Sequence, residues 1–435
     1  MKSVNIGICG LGTVGSGTFN VLARNAGLIN ARAGCDINVT VVGARRDNAS
    51  CDTAQVVVER DIFALTSRPD VDIIVELIGG TTTAKELVLQ AIANGKHVVT
   101  ANKALIAEYG NEIFAAAEKQ GVSVAYEAGV AGGIPIIKAL REGLSANKIE
   151  WLAGIINGTG NFILTEMRDK GRDFADVLAE AQELGYAEAD PAFDVEGTDA
   201  AHKLVILASI AFGMPLRFDA VFTEGITAIQ PEDVVYAEEL GYRIKHLGIA
   251  KQREDGVELR VHPTLIPERQ LIAQVSGVMN AVMVKGDAVG PTLYYGPGAG
   301  AEPTASAVVA DIVDVARSIG SAAENRVPAL GFASETIADP GVLDIADIES
   351  AYYLRASVLD QPGVLSSVAQ IMSQRGISIE AIIQKEPPAG ASDVPLIMLT
   401  NTTREQNLRT AVEEIEALAS VNGSIVKIRL ESLDT

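Results

Sequence analysis

Apolar residues follow two rhythms along this chain. Over residues 1–127, short β-branched runs at Val4 to Cys9, Ile37 to Ala44, Val71 to Ile78, His97 to Thr100 and Val122 to Tyr126 alternate with longer stretches at helical spacing. Strands separated by helices predict a parallel sheet, because parallel neighbours need a long crossover between them. Asn94-Gly95 and Gly121 stand where the helices should stop.

After Glu127 the pattern changes to a mixed α+β one that extends over residues 128–303. Helices such as Phe174 to Leu184 and Thr198 to Phe212 mix there with strands such as Glu258 to His262 and Leu271 to Val275. A helical run, Ser306 to Ile319, follows the turn Gly296-Pro297-Gly298-Ala299-Gly300, and a helix over 304–320 is expected to pack back on the first domain. Residues 321–350, broken by Pro328, Gly331, Pro340 and Gly341, read as a linker.

Residues 351–435 are expected to form a further unit. Tyr352 to Leu359 alternates as a strand, and Val364, Leu365, Val368, Ile371 and Met372 fit one helix face. Ile377 to Gln384 and Val394 to Thr400 are strands, Leu408, Ala411, Val412, Ile415 and Leu418 fit a second helix, and Ile425 to Leu430 is the last strand. The order βαββαβ is ferredoxin-like.

The 435 residues carry 35 Lys plus Arg against 56 Asp plus Glu, a net charge of −21. Such acidity argues against nucleic-acid partners, which need clustered cations, and against an anionic membrane surface. The apolar run Leu204 to Ala211 is well short of the ~18 residues a membrane helix needs, and Met1-Lys2-Ser3 leads straight into a strand with no signal segment. A cytoplasmic protein is expected. The cysteines, Cys9, Cys35 and Cys51, show neither disulfide nor metal-ligand spacing.

Gly10-Leu11-Gly12-Thr13-Val14-Gly15 follows the first strand and opens a helix, which is the setting of a Rossmann-type dinucleotide fingerprint. Gly10 permits the tight turn, Gly12 the approach of a pyrophosphate, and Gly15 close packing of helix on strand. The second strand ends Val42-Gly43-Ala44-Arg45-Arg46, with no carboxylate for a ribose 2′-hydroxyl. Arg45, with Arg46 behind it, would suit a 2′-phosphate, so NADP is favoured; NAD stays open, as does the reading of both arginines as solvated loop residues. Lys103, after the fourth strand, stands at the carboxyl edge where open α/β sheets bind ligands.

The segment Glu127 to Pro135 combines a carboxylate with a glycine-rich bend, which suits either a hard cation or a hinge. Ala181 to Lys203 is the richest stretch: a helix ending at Gly185, an acidic loop, then Asp199 and Lys203 one turn apart on the next helix. The apolar run after Lys203 predicts that this helix is buried. A buried lysine must be paired or more easily deprotonated, and either condition suits proton donation to a carbonyl.

These residues resemble the homoserine dehydrogenase family, and the resemblance spans the chain. It rests on the Gly-Leu-Gly-Thr-Val-Gly start, on Gly154-Ile155-Ile156-Asn157-Gly158-Thr159-Gly160-Asn161-Phe162-Ile163-Leu164, and above all on Ala181 to Lys203. It implies reversible NAD(P)H-dependent reduction of L-aspartate 4-semialdehyde to L-homoserine, with residues 128–303 serving catalysis and dimerisation. Carried over by position, Lys203 is the proton donor, Asp199 its orienting partner, and Lys103 lies between cofactor and substrate. Glu188 binds the substrate amino group, and Gly158 and Thr159 line the substrate site. Gly300 and Glu302 complete the cofactor pocket, and Glu127 with the carbonyls of Val130, Gly132 and Ile134 holds a structural sodium ion.

The last unit resembles an ACT domain through Asp360-Gln361-Pro362-Gly363-Val364-Leu365. That implies a small amino-acid effector, L-threonine by pathway logic, met by Asp360 and the backbone at Gly363; a unit that only dimerises is the alternative. A homo-oligomer, dimer or tetramer, is expected. An acyl-phosphate-forming semialdehyde dehydrogenase would need a cysteine nucleophile, and no cysteine follows Cys51. A non-catalytic NADP sensor that responds to amino acids is the remaining alternative, disfavoured by the Asp199 and Lys203 pair.

Overall fold

The computed structural model describes residues 3–322, 325–385 and 393–433. The chain divides into two compact units, one of Met1–Ile156, Ala201–Val221 and Met279–Pro340, the other of Asn157–Ala200, Phe222–Val278 and Gly341–Thr435.

The first unit is built on six strands, β1 (Ser3–Cys9), β2 (Asp36–Gly43), β3 (Val57–Glu59), β4 (Ile73–Glu76), β5 (His97–Thr100) and β6 (Val124–Ala125). They pair in parallel in the order β3-β2-β1-β4-β5-β6. Strand order reverses between β1 and β4, and the crevice outside their carboxyl ends is where such sheets bind ligands. β4 and β5 are buried along their full length, which is why they read as unbroken β-branched runs rather than as alternation.

Helix Ala301–Ser318 packs against Thr13–Arg24 on this sheet. Ala305, Val308 and Ile312 on it share one core with Phe19, Leu22, Ile6 and Ile8. Burying each of the larger side chains contributes about 1.5–3 kcal/mol. The two helices touch backbone to backbone at Gly17, where an added Cβ would stand 2.6 Å from the carbonyl oxygen of Ala301. Met279–Gly286 pairs antiparallel with both Ile149–Ile155 and Gly290–Pro297 in the same unit.

In the second unit Tyr242–Gln252 and Val257–Pro267 pair antiparallel along their full lengths. Helices Gly158–Lys170, Phe174–Glu183 and Pro231–Glu239 supply Phe162, Val177 and Val234 to the core beside them. Leu271 to Val275, expected as a strand, is instead a single 3₁₀ turn, Leu271–Gln274. Ile272 and Ala273 point inward while Leu271 faces solvent, so one turn satisfies the run without a sheet partner.

The C-terminal elements run Glu349–Leu359, Val364–Gln374, Ile379–Gln384, Asp393–Thr400, Glu405–Glu416 and Val421–Leu430, with a two-residue strand Thr403–Arg404 besides. The last strand lies beside the first, the third pairs with the first, and the second takes the edge, which is the ferredoxin-like order. Val421–Leu430 also pairs in parallel with Val257–Pro267, so these elements and the core strands form one hydrogen-bonded structure. Among the described residues, no helix is long and apolar enough to cross a membrane.

Candidate active site

At the end of β1 the fingerprint glycines have separate steric reasons. Gly10 has φ +101°, and a Cβ there would meet the Leu77 carbonyl at 2.6 Å; one on Gly15 would meet the Gly10 carbonyl at 1.9 Å. At Gly12 a Cβ would meet nothing within 4 Å, so this is open space at a helix N-terminus, the approach a pyrophosphate needs. Leu11 is buried, Thr13 exposed and Val14 half-buried. Arg45 is exposed at the end of β2. Arg60, which sequence reading missed, donates to the Ala44 carbonyl at 2.9 Å and pairs with Asp47 at 2.6 Å.

Lys103 opens the helix Lys103–Gln120, where Asn102 caps the helix by accepting from the Leu105 N–H at 3.1 Å. Beneath this edge the buried Glu76 carboxylate accepts from the Thr100 hydroxyl at 2.6 Å and the Ile78 N–H at 2.9 Å. Gly300, with φ +119°, caps Ala301–Ser318, and exposed Glu302 pairs with Arg24 at 2.6 Å.

One helix, Thr198–Phe212, carries both Asp199 and Lys203, and both are buried. Lys203 Nζ donates to the Ile156 carbonyl at 2.6 Å. Asp199 accepts from Asn157 Nδ2 at 2.8 Å, and the same amide reaches Asp194 at 2.7 Å. Asn157 Oδ1 accepts from the Gly160 N–H at 2.7 Å and so caps Gly158–Lys170. Asn157 thus ties the start of the Gly158-Thr159 helix to two carboxylates. Sequence reading missed this role for Asn157 and Asp194, although an Asn before Gly-Thr-Gly after a strand is a capping signal.

Thr159 Oγ1 donates to the Tyr186 carbonyl at 2.7 Å, and Gln182 Nε2 donates to the Glu188 carbonyl at 3.0 Å. These contacts hold the acidic loop while leaving the Glu188 side chain exposed. The structure therefore gathers Gly158, Thr159, Glu188 and Asp199 in the second unit. Gly10 to Gly15, Arg45, Lys103, Lys203, Gly300 and Glu302 belong to the first.

Glu127 is buried, and its two carboxylate oxygens accept from the N–H groups of Ile137 at 2.9 Å and Lys138 at 2.8 Å. Burial pushes its pKa up to about 6. Val130, Gly132 and Ile134 are buried on the same bend, where Ala131 and Gly132 take left-handed conformations, φ 54° and 48°. Among the described residues no cluster of three His, Cys, Asp or Glu could hold a metal, so any ion here would rest on carbonyl oxygens and one carboxylate.

In the C-terminal elements, a cavity of about 320 Å³ is lined by Asp360, Gln361, Gly363, Val364, Gln384 and Leu396 among others. Gly363, with φ +95°, caps the helix Val364–Gln374, so the first N–H groups of that helix adjoin the cavity. Gln384 is a lining residue that sequence reading missed.

Three family models match in chain order: the NAD binding domain of homoserine dehydrogenase over residues 10–127, homoserine dehydrogenase over 135–313, and the ACT domain over 352–420. The chain is 64% identical over 434 residues to the homoserine dehydrogenase of Pseudomonas aeruginosa, covering 100% of each. The chain belongs to the homoserine dehydrogenase family. A solved homoserine dehydrogenase from Thiobacillus denitrificans matches with a TM-score of 0.95 and 59% identity, over 100% of this chain and 99% of that one. A hyperthermophilic archaeal homoserine dehydrogenase in complex with NADPH matches with a TM-score of 0.62 and 26% identity, over 72% of this chain and 97% of that one. As a homoserine dehydrogenase the protein is an oxidoreductase, which removes the sensor alternative, and its parallel sheet is a nicotinamide-dinucleotide domain.

Proposed function

We propose that the enzyme reversibly reduces L-aspartate 4-semialdehyde to L-homoserine with NADP(H), works in the cytoplasm as a homo-oligomer, and is feedback-regulated by L-threonine. The observation that carries the reaction is the arrangement on Thr198–Phe212: a buried lysine, one turn from a buried aspartate that Asn157 fixes in place. The dinucleotide, when bound, supplies the hydride. Lys203 stabilises the charge that develops on the aldehyde oxygen and gives it a proton, with Ile156 holding the ammonium and Asp199 orienting it. Glu188 offers a carboxylate for the substrate ammonium, and Gly158 and Thr159 form the adjoining wall. Lys103 serves the junction of cofactor and substrate.

The open space at Gly12 fits a pyrophosphate, and by the family resemblance Gly300 and Glu302 would complete the pocket, although Glu302 here pairs with Arg24. Arg45, exposed past the end of β2, supports NADP over NAD through charge on the 2′-phosphate. The donor set of Glu127, Val130, Gly132 and Ile134 is buried and all oxygen, which suits a hard cation such as sodium in a structural role. Asp360 and the Gly363 turn on one cavity support an amino-acid effector, with the helix N–H groups placed for its carboxylate.

Consumption of NADPH absorbance on adding L-aspartate 4-semialdehyde, repeated with NADH, tests both reaction and cofactor preference. No consumption by folded enzyme would overturn the reaction. Threonine inhibition lost in Asp360→Ala would support the regulatory role; an unchanged titration would refute it.

A further inference from the structure

The C-terminal elements reach the catalytic helix through one short segment of the second unit. Arg429, fully buried on the last strand, donates through Nε and Nη2 to Glu405 at 2.9 Å each, and through Nη1 to Glu224 at 2.8 Å. Burial would raise Glu405, but Arg429 and Lys427 outweigh it and hold the carboxylate at about 2, so the arginine is anchored by a charged partner on its own side. The guanidinium also lies over the Phe222 ring, 5.0 Å from its centre.

Glu224 is held at three points. Its side chain meets Arg429, its N–H donates to the Val261 carbonyl at 2.8 Å, and its carbonyl accepts from His246 Nε2 at 3.0 Å. The next two residues press on the turn that precedes Asp199. A Cβ on Gly225 would stand 2.7 Å from the Val195 carbonyl oxygen and 2.7 Å from Glu196 Oε2, and Ile226 N–H donates to that same carbonyl at 2.9 Å. Gly197 follows, φ +91°, with the His246 ring carbon 3.3 Å from where its Cβ would be. Two residues further on stands Asp199.

We propose that Glu224 is a positioning residue: clamped by Arg429 of the C-terminal elements, it fixes the Val195–Gly197 turn and through it the place of Asp199. Neither Glu224 nor Gly225 lies in the motifs that mark the active site, and the role rests on the assignment of Asp199 made above. It gives the C-terminal elements a direct mechanical hold on the substrate side. A shift in Arg429 must move Glu224 or break the pair, because the buried guanidinium has its other donors committed to Glu405.

The test is steady-state kinetics of the full-length enzyme with homoserine and NADP varied separately, for Glu224→Gln and Gly225→Ala, with melting temperatures alongside. The first variant removes the charge from the clamp and weakens it; the second keeps it and pushes on the turn. We expect KM for homoserine to rise about tenfold in both, a scale set by small misplacements near reacting groups, with KM for NADP within twofold of wild type. Glu224→Asp should restore part of the loss. A merely structural role would lower melting temperature and active fraction while leaving both KM values alone, and that result would overturn the proposal. So would variants that match wild type throughout. If Lys203→Ala and Asp199→Ala retain full turnover, the active-site assignment fails instead. If wild type ignores threonine while the KM split appears, the effector reading fails and the positioning role stands.

Discussion

Glu405→Gln should reveal how far the second unit depends on buried charge. Glu405 is fully buried and accepts from Arg429, from Lys427 at 2.8 Å and from the Tyr352 hydroxyl at 2.7 Å. Glu431, on the same side of the sheet, accepts from Arg260 and Lys251, and Arg260 also meets Glu258. Burial opposes both charges, yet the adjacent cations hold Glu405 and Glu431 each at about 2 against an ordinary 4.5. At about 1.4 kcal/mol per factor of ten in protonation, each contributes about 3–4 kcal/mol.

Because both folded values lie below the unfolded one, this stability is fully present above pH 4.5 and is lost as pH falls from there through about 2. Together the two groups are worth about 7 kcal/mol, comparable with the whole stability of a small domain, so the second unit should unfold in acid. Glu405→Gln leaves Arg429 and Lys427 facing an amide and should cost about 3–5 kcal/mol at pH 7. Below pH 4.5 the part of the slope due to these two buried carboxylates should fall by about half, since of the pair only Glu431 still titrates. Denaturant titrations from pH 7 to 3, with amide exchange of Val421–Leu430 as the local probe, measure both. Trp151, the sole tryptophan, lies in the other unit and serves as a control. A flat wild-type profile below pH 4.5, or a variant with the wild-type slope, would refute the reasoning.

Other outcomes follow from single contacts. Lys203→Ala should abolish turnover while NADPH binding by fluorescence titration survives, since the fingerprint glycines lie on a different element; near-native turnover would remove Lys203 from its role. Asn157→Ala leaves Asp199 and Asp194 without their shared amide and should lower kcat/KM about 10- to 100-fold, with rescue by Asn157→Gln absent because the cap geometry is lost. Arg45→Ala should lower the NADP-to-NAD preference measured as a ratio of kcat/KM, and an unchanged ratio would leave that arginine as loop solvation. Added salt should weaken NADPH binding only shallowly, because screening the −21 net charge offsets screening of the local cations; a steep loss would show that the local contacts dominate.

Much of the fold is legible in local pattern. The β1 to β6 runs are short, β-branched and separated by helices, and parallel pairing follows from that spacing alone. The βαββαβ order is equally plain, since each element's apolar period switches cleanly between 2 and 3.6. Leu271 to Val275 forms a turn and not a strand because five apolar and polar residues can close one buried turn as well as extend, and only the neighbours decide. In the candidate site, Lys203 and Asp199 are readable because one helical turn brings them together in sequence as well as in space. Arg60 and Gln384 are not, because the sheet and not the chain places them beside Ala44 and Asp360. The Arg429 to Glu224 pair spans 205 positions and the Arg260 to Glu431 pair 171, so no periodicity could announce either.

That distance has a consequence for how the C-terminal elements act. A regulatory unit joined by a loose linker could be removed and leave a working core. Here Thr264 pairs with Arg429 and Leu265 with Leu430 in the sheet, Glu431 neutralises Arg260 in the core, and Arg355 binds Asp233 at the start of a core helix. Removing residues 351–435 would strip a buried arginine of one carboxylate, leave Asp233 without its guanidinium and expose a strand edge, each of them a severe perturbation. Loss of activity on truncation would therefore say nothing about effector control, whereas a substitution at Asp360 touches the cavity and leaves these contacts whole. On the positioning role proposed for Glu224, the same contacts would let the C-terminal elements act on Asp199 without a large rearrangement. They already hold the strand on which Glu224 leans, so on the positioning role proposed above a displacement of that strand by a fraction of an ångström would reach the turn before Asp199 through Glu224 and the Ile226 N–H bond to the Val195 carbonyl.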